Sequence, residues 1–184
     1  MNRELLKEAI FDQKEAYLFQ PFVVREYNLE LNVNYCFVGI RRSGKSFLVY
    51  QLIHEYLKAG IPQKRIFYVN FEDERLLEFK VDDFQDIILV KNELTDKKGY
   101  YFFDEIQNVD GWEKFARRMA DSNEIVYITG SNSKMLSSEM NAKLGGRYIS
   151  KYIMPYSFDE YINASGVTLD DSSISIAQKT RELE

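Results

Sequence analysis

Gly39-Ile40-Arg41-Arg42-Ser43-Gly44-Lys45-Ser46 is the stretch on which the fold turns. It matches a phosphate-binding loop at every fixed position: glycine first and sixth, then lysine and a hydroxyl residue. The apolar run Tyr35-Cys36-Phe37-Val38 precedes it, and Phe47-Leu48-Val49-Tyr50-Gln51-Leu52-Ile53 follows as a buried helix. Strand, glycine loop and helix therefore come in the order such a loop requires. The glycines let the backbone curl until successive N–H groups turn inward, and the helix directs its positive end at the same spot, so a polyphosphate is the natural occupant. On this pattern, residues Gly39 to Ser46 together with Phe47 contact the nucleotide, Lys45 bridges the β- and γ-phosphates, and Ser46 coordinates magnesium. Arg41 and Arg42 occupy variable positions of the loop and read as solvated charges.

Further strands are expected at Arg65 to Asn70, Tyr100 to Phe103 and Ile125 to Thr129, each rich in β-branched or aromatic residues, and a fifth at Arg147 to Ile153. Helical segments lie between them, the clearest from Trp112 to Met119, where Trp112, Phe115, Ala116 and Met119 share one face. An N-terminal helix is expected from Arg3 to Tyr17. Alternation of strand and helix predicts an α/β protein with a parallel sheet.

The strand Tyr100-Tyr101-Phe102-Phe103 ends in Asp104-Glu105, the expected metal-side partner of the loop. Asp104 can hold the magnesium through water, and Glu105 can orient or deprotonate a water attacking the γ-phosphate. The next strand ends in Thr129-Gly130-Ser131-Asn132-Ser133, making Ser131 or Asn132 the candidate that senses the γ-phosphate; a turn capping the next helix is the competing account. Asn70, ending the second strand, is a candidate switch that bonds Glu105 in one state, whereas Glu72, Asp73 and Glu74 read as a solvated helix start. Arg147 follows Leu144-Gly145-Gly146 and is either an arginine finger toward a neighbouring subunit's γ-phosphate or an ordinary surface arginine.

The chain has 184 residues, 45% hydrophobic and 29% charged, which fits one domain with a small appendage and excludes a disordered chain. A net charge of −5 argues against a surface built for nucleic acid, which could meet only a local basic patch. From Gly111 to Lys151 there are 4 acids against 7 bases, and from Phe71 to Asp96 there are 9 against 3, so opposed patches could favour head-to-tail association of copies; ordinary solvation of helix faces is the competing account. One cysteine, Cys36, makes no internal disulfide, and the acids and bases at the start exclude a signal peptide; a soluble, cytoplasmic protein with no membrane segment is expected.

Taken with Gly111-Trp112-Glu113, these motifs resemble the AAA+ family of P-loop ATPases. More narrowly, they resemble the prokaryotic predicted ATPases that carry a nuclease-like C-terminal domain. The resemblance implies a P-loop NTPase fold: a three-layer αβα sandwich on a five-stranded parallel sheet ordered 5-1-4-3-2, with ATP at the carboxyl ends of the strands. It divides the chain into a helical lead-in over 1–30, an ATP-binding core over 31–158, and a polar tail over 159–184 as the truncated start of a lid. Members continue beyond that point, so this chain is expected to be a fragment.

The expected function is magnesium-dependent ATP binding with hydrolysis that drives or switches an attached domain or partner, a second copy included. A nucleotide-gated binding module with little turnover is the alternative, and a small-molecule kinase on the same scaffold ranks third. No Asn-Lys-x-Asp guanine-reading motif occurs, so adenine is preferred over guanine.

Overall fold

Strands β1 (Tyr35–Val38), β2 (Ile66–Asn70), β3 (Tyr100–Asp104), β4 (Ile125–Gly130) and β5 (Ile149–Tyr152) form one sheet in the computed structural model, which describes residues 1–131, 135 and 142–165. Every neighbouring pair is parallel and the order is β2-β3-β4-β1-β5, the order the resemblance implied. Parallel strands need crossovers rather than hairpins. Helices supply them: α3 (Lys45–Lys58) after β1, α4 (Phe84–Leu94) after β2 and α5 (Trp112–Asp121) after β3.

Side chains alternate between the faces of a strand, so each strand feeds two cores. Cys36, Val69, Phe103 and Ile128 point to the face covered by α4 and α5, while Phe37, Tyr68, Phe102 and Tyr127 point to the face covered by α3. Helices on both faces give the three-layer sandwich. The second face is aromatic and carries hydroxyls that satisfy one another: Tyr56 pairs with Tyr127 at 2.7 Å and Tyr50 with Tyr68 at 3.3 Å. Cys36 lies fully buried, and burial pushes its thiol up to about 12, which makes it inert filling.

The N-terminal segment departs from expectation. It is two helices, α1 (Arg3–Asp12) and α2 (Lys14–Phe19), broken at Gln13. Leu6, Ala9 and Ile10 of α1 pack on one face of the sheet, whereas Tyr17 of α2 packs on the other. The chain therefore passes round the open edge of β2, and Gln13 sits at the crossing. Its Oε1 accepts the Asn70 N–H at 2.8 Å and its Nε2 donates to Asp73 at 2.8 Å, which covers a backbone donor that an edge strand would otherwise expose. His54 Nε2 donates to the Tyr17 carbonyl at 2.6 Å, a structural tie between α2 and α3.

Beyond β5 a further helix, α6 (Phe158–Ser165), forms where the apolar pattern weakens. The rest of the segment 159–184, from 166 on, lies outside the described residues. Among the described residues, no helix is long and apolar enough to cross a membrane.

Candidate functional site

The parallel sheet brings Val38, Asn70, Asp104 and Gly130 to one edge, and the loops leaving β1, β3 and β4 meet there. In open parallel sheets ligands bind beyond this edge. The loop after β1 hugs the sheet: a Cβ on Gly39 would collide with the carbonyl oxygen of Ile153. Gly44, with φ +87°, then turns the chain into α3 through a left-handed conformation that glycine adopts without strain. The N–H groups of the first turn of α3 have no carbonyl a turn back and are presented to a cleft of about 660 Å³, walled by residues 41–47 with Glu72, Glu105 and Tyr156.

Lys45 is buried inside the loop. Its Nζ donates to the Ile40 carbonyl at 3.1 Å and the Gly39 carbonyl at 3.4 Å, and stands 3.5 Å from Glu105 Oε1. Arg41 and Arg42 are exposed, as solvated charges should be, with Arg41 reaching Glu72 at 3.5 Å across the cleft.

Asp104 ends β3 fully buried, and burial raises its pKa above the usual carboxylate value; hydrogen bonds from Thr129, Ser46 and Tyr68 oppose that rise, and the neighbouring Glu105 charge adds to it. Its Oδ1 accepts the Thr129 hydroxyl and its Oδ2 accepts the Tyr68 hydroxyl at 2.9 Å. Burial, with Asp104 next to it, in turn holds the Tyr68 phenol well above its ordinary value, so Tyr68 donates and does not ionise. The Ser46 side chain is thus a neighbour of Asp104.

Glu105 adopts φ +51°, a conformation worth about 1–3 kcal/mol of strain for a non-glycine residue, which the surrounding bonds hold in place. Its N–H donates to Thr129 Oγ1 at 2.9 Å, and its Oε2 accepts from the Ser131 hydroxyl at 2.7 Å and Gln107 Nε2 at 2.6 Å. Ser131 is therefore in contact with Glu105; Asn132 lies outside the described residues. In this structure the side-chain oxygen of Asn70, the candidate switch, accepts the Glu72 N–H at 2.9 Å, closing a local turn, while Gln107 and Ser131 hold Glu105. Asp73 does start a short helix, capping the 3-10 turn Glu74–Leu76 by accepting the Arg75 N–H at 3.0 Å, but it is half-buried, and the Arg75 guanidinium, helped by Gln13, holds its carboxyl down at about 2.

Arg147 stands away from all of this. It precedes β5, whose first residue pairs with Tyr35 at the amino end of β1, and so lies at the opposite edge of the sheet from the cleft. Its Nε donates to Asp121 at 2.6 Å in an exposed pair. Sequence reasoning missed Tyr68 and Gln107, which steady the two carboxylates, and Arg25, whose Nη1 donates to the Ser43 carbonyl at 2.9 Å. Alternation along β2 places Tyr68 beside Asn70 on one face, a signal usable only once the pairing of β2 with β3 is known.

Residues 33–162 match the family model described as an AAA domain. An uncharacterized protein of Methanocaldococcus jannaschii is 36% identical over 160 residues, which cover 86% of this chain and 35% of the relative. An uncharacterized protein of Haemophilus influenzae is 40% identical over 131 residues, 70% of this chain and 33% of the relative. The chain thus spans about a third of the length of these relatives. Among solved structures, the closed state of Hsp104 with ATPγS and FITC casein superposes with a TM-score of 0.50 at 15% identity, covering 88% of this chain and 30% of that one, a likeness of fold.

Proposed function

The chain belongs to the AAA+ family of P-loop ATPases, and from that premise we propose that it binds ATP with magnesium in the cleft and hydrolyses it. One observation carries the proposal: a buried lysine, a serine neighbouring a buried aspartate, and a glutamate meet where the loop leaves β1. In this reading the loop amides and Lys45 take the β- and γ-phosphates. Magnesium suits the donor set, two hard oxygen groups side by side, with Ser46 holding it directly and Asp104 through water. Bound there, the metal would neutralise charge on the phosphates. Glu105 orients the attacking water and accepts its proton as the bond to the γ-phosphorus forms and ADP departs. ATP turnover would then move or switch an attached domain or a second copy.

A nucleotide-gated module with little turnover is the second reading. It is favoured by the hold that Ser131, Gln107 and Lys45 have on the Glu105 carboxylate, which must be loosened before that carboxylate can engage a water. Titration of the chain with a fluorescent ATP analogue and magnesium, followed by a phosphate-release assay, tests both. Saturable binding that Lys45→Ala abolishes supports the cleft, and release of phosphate supports the first reading over the second. An unchanged titration in Lys45→Ala rejects the site.

A further inference from the structure

Arg25 lies in the lead-in between α2 and β1, outside every motif, yet its side chain is 2% exposed. Its guanidinium joins three separate pieces of chain. Nη1 donates to the Ser43 carbonyl in the loop at 2.9 Å, Nη2 to the Met154 carbonyl beyond β5 at 2.9 Å, and Nε to Glu160 Oε1 in α6 at 2.8 Å. The approach to the loop is close: a Cβ on Gly44 would stand 2.8 Å from Nη1. Tyr156, a wall of the cleft, stacks on the guanidinium with its ring centre 4.8 Å away. Gln51 of α3 fixes the backbone of Arg25 from both sides, accepting its N–H at 2.7 Å and donating to its carbonyl at 3.1 Å.

Glu160 is as heavily committed. Its Oε1 accepts from Arg25 and from the Glu26 N–H at 3.2 Å, while its Oε2 accepts the Ser157 N–H at 2.9 Å. Its own N–H donates to the Ser157 hydroxyl at 3.1 Å, so Ser157 and Glu160 form the reciprocal capping box that starts α6. One carboxylate is both the counter-ion of Arg25 and the cap of α6. The planar guanidinium has a fixed fork. A displaced Ser43 carbonyl therefore re-aims the fork, and the carboxylate must follow it or keep the cap.

We propose that Arg25 is a positioning residue of the phosphate loop and that, with Glu160, it forms the joint through which ATP in the loop is felt by helix α6. The inference rests on the cleft being the ATP site. Coupling of this kind is reciprocal: if ATP steadies α6, then the bond between Arg25 and Glu160 must tighten ATP.

Hydrogen exchange on the 184-residue chain, with and without saturating MgATP, tests it alongside a fluorescent ATP titration. In the unaltered chain ATP should slow exchange several-fold across 158–165 as well as across the loop. Glu160→Gln, neutral but of the same shape, should weaken ATP about tenfold, or about 1.4 kcal/mol, and lose the ATP-dependent protection of 158–165 while keeping that of the loop. Arg25→Lys, which keeps the charge but not the three-way fork, should do the same, a selectivity that a merely structural role does not produce. ATP binding by the unaltered chain with no change across 158–165 overturns the inference and leaves the cleft standing, as does wild-type affinity in a folded Glu160→Gln. If Glu160→Gln fails to fold, exchange in the unaltered chain decides alone. Failure of the unaltered chain to bind ATP overturns the cleft and the inference with it.

Discussion

Thr129 and Asp104 are joined through their side chains at the carboxyl edge of the sheet, and the same Thr129 oxygen that donates to Asp104 accepts the N–H of Glu105 at 2.9 Å. One buried hydroxyl thereby sets the spacing of both carboxyl groups. Thr129→Val keeps the shape and removes the hydroxyl, leaving a buried acceptor and a buried N–H without their partner. Each such loss costs about 1–3 kcal/mol. The variant should unfold at lower urea with an unchanged slope, whereas Thr129→Ser, which restores the hydroxyl, should recover most of the difference.

The burial of Asp104 makes stability depend on pH in a defined direction. Its folded pKa lies above the ordinary 3.8, so its contribution to stability is fully present below that value and is lost as pH rises from 3.8 through the folded value. Asp104→Asn carries no charge to desolvate. Relative to the unaltered chain it should gain stability as pH rises from about 3.8 through the folded value of Asp104, a gain absent below 3.8, and it should lose magnesium-dependent ATP binding. Urea midpoints of both proteins across pH 3–8 check the sign; a gain that grows on acidification rejects it.

Glu105 is held at one oxygen by Ser131 and Gln107 and at the other approached by Lys45, which gives the residue a definite aim. Glu105→Gln should reduce phosphate release by a factor of about 10²–10⁴, the usual worth of a positioned base, while ATP affinity changes little. Ser131→Ala removes one support of Glu105 and should lower kcat about tenfold, with KM unchanged if Ser131 acts only through Glu105 and raised if it also senses the γ-phosphate. Equal losses in kcat and in ATP affinity would place both residues in binding instead.

What was legible from the residues alone was local. The loop from Gly39 to Ser46 declares itself because its strand, turn and helix are contiguous, and β3 ends in Asp104-Glu105 within the same run of sequence. The sheet order came from the resemblance to AAA+ proteins, since neither periodicity nor propensity says which strands become neighbours. Arg25 and Glu160 stayed hidden because they are 135 positions apart and each, by type, reads as a solvated charge. The break at Gln13 escaped for a related reason: apolar spacing continues through it, and only the edge of β2 explains why α1 and α2 must lie on opposite faces. Asn70 sits opposite Asp104 in the sheet, which makes it a natural suspect for contact with the acids, but the Glu72 N–H claims its side-chain oxygen.

Arg147 poses a question of reach. It lies at the amino edge of the sheet, so a role at the γ-phosphate requires a second copy whose cleft it enters, and its present partner, Asp121, is exposed and easily screened. The opposed charge of the segments Phe71 to Asp96 and Gly111 to Lys151, the second of which contains Arg147, supplies an attraction between unlike segments of two copies. If Arg147 acts across that contact, hydrolysis per chain should rise with protein concentration at low salt, and Arg147→Ala should remove the rise while leaving thermal unfolding and ATP affinity in place. Specific activity that is flat with concentration in both proteins, together with sedimentation as a monomer in ATP, assigns Arg147 to the surface and confines catalysis to the residues around Lys45, Asp104 and Glu105.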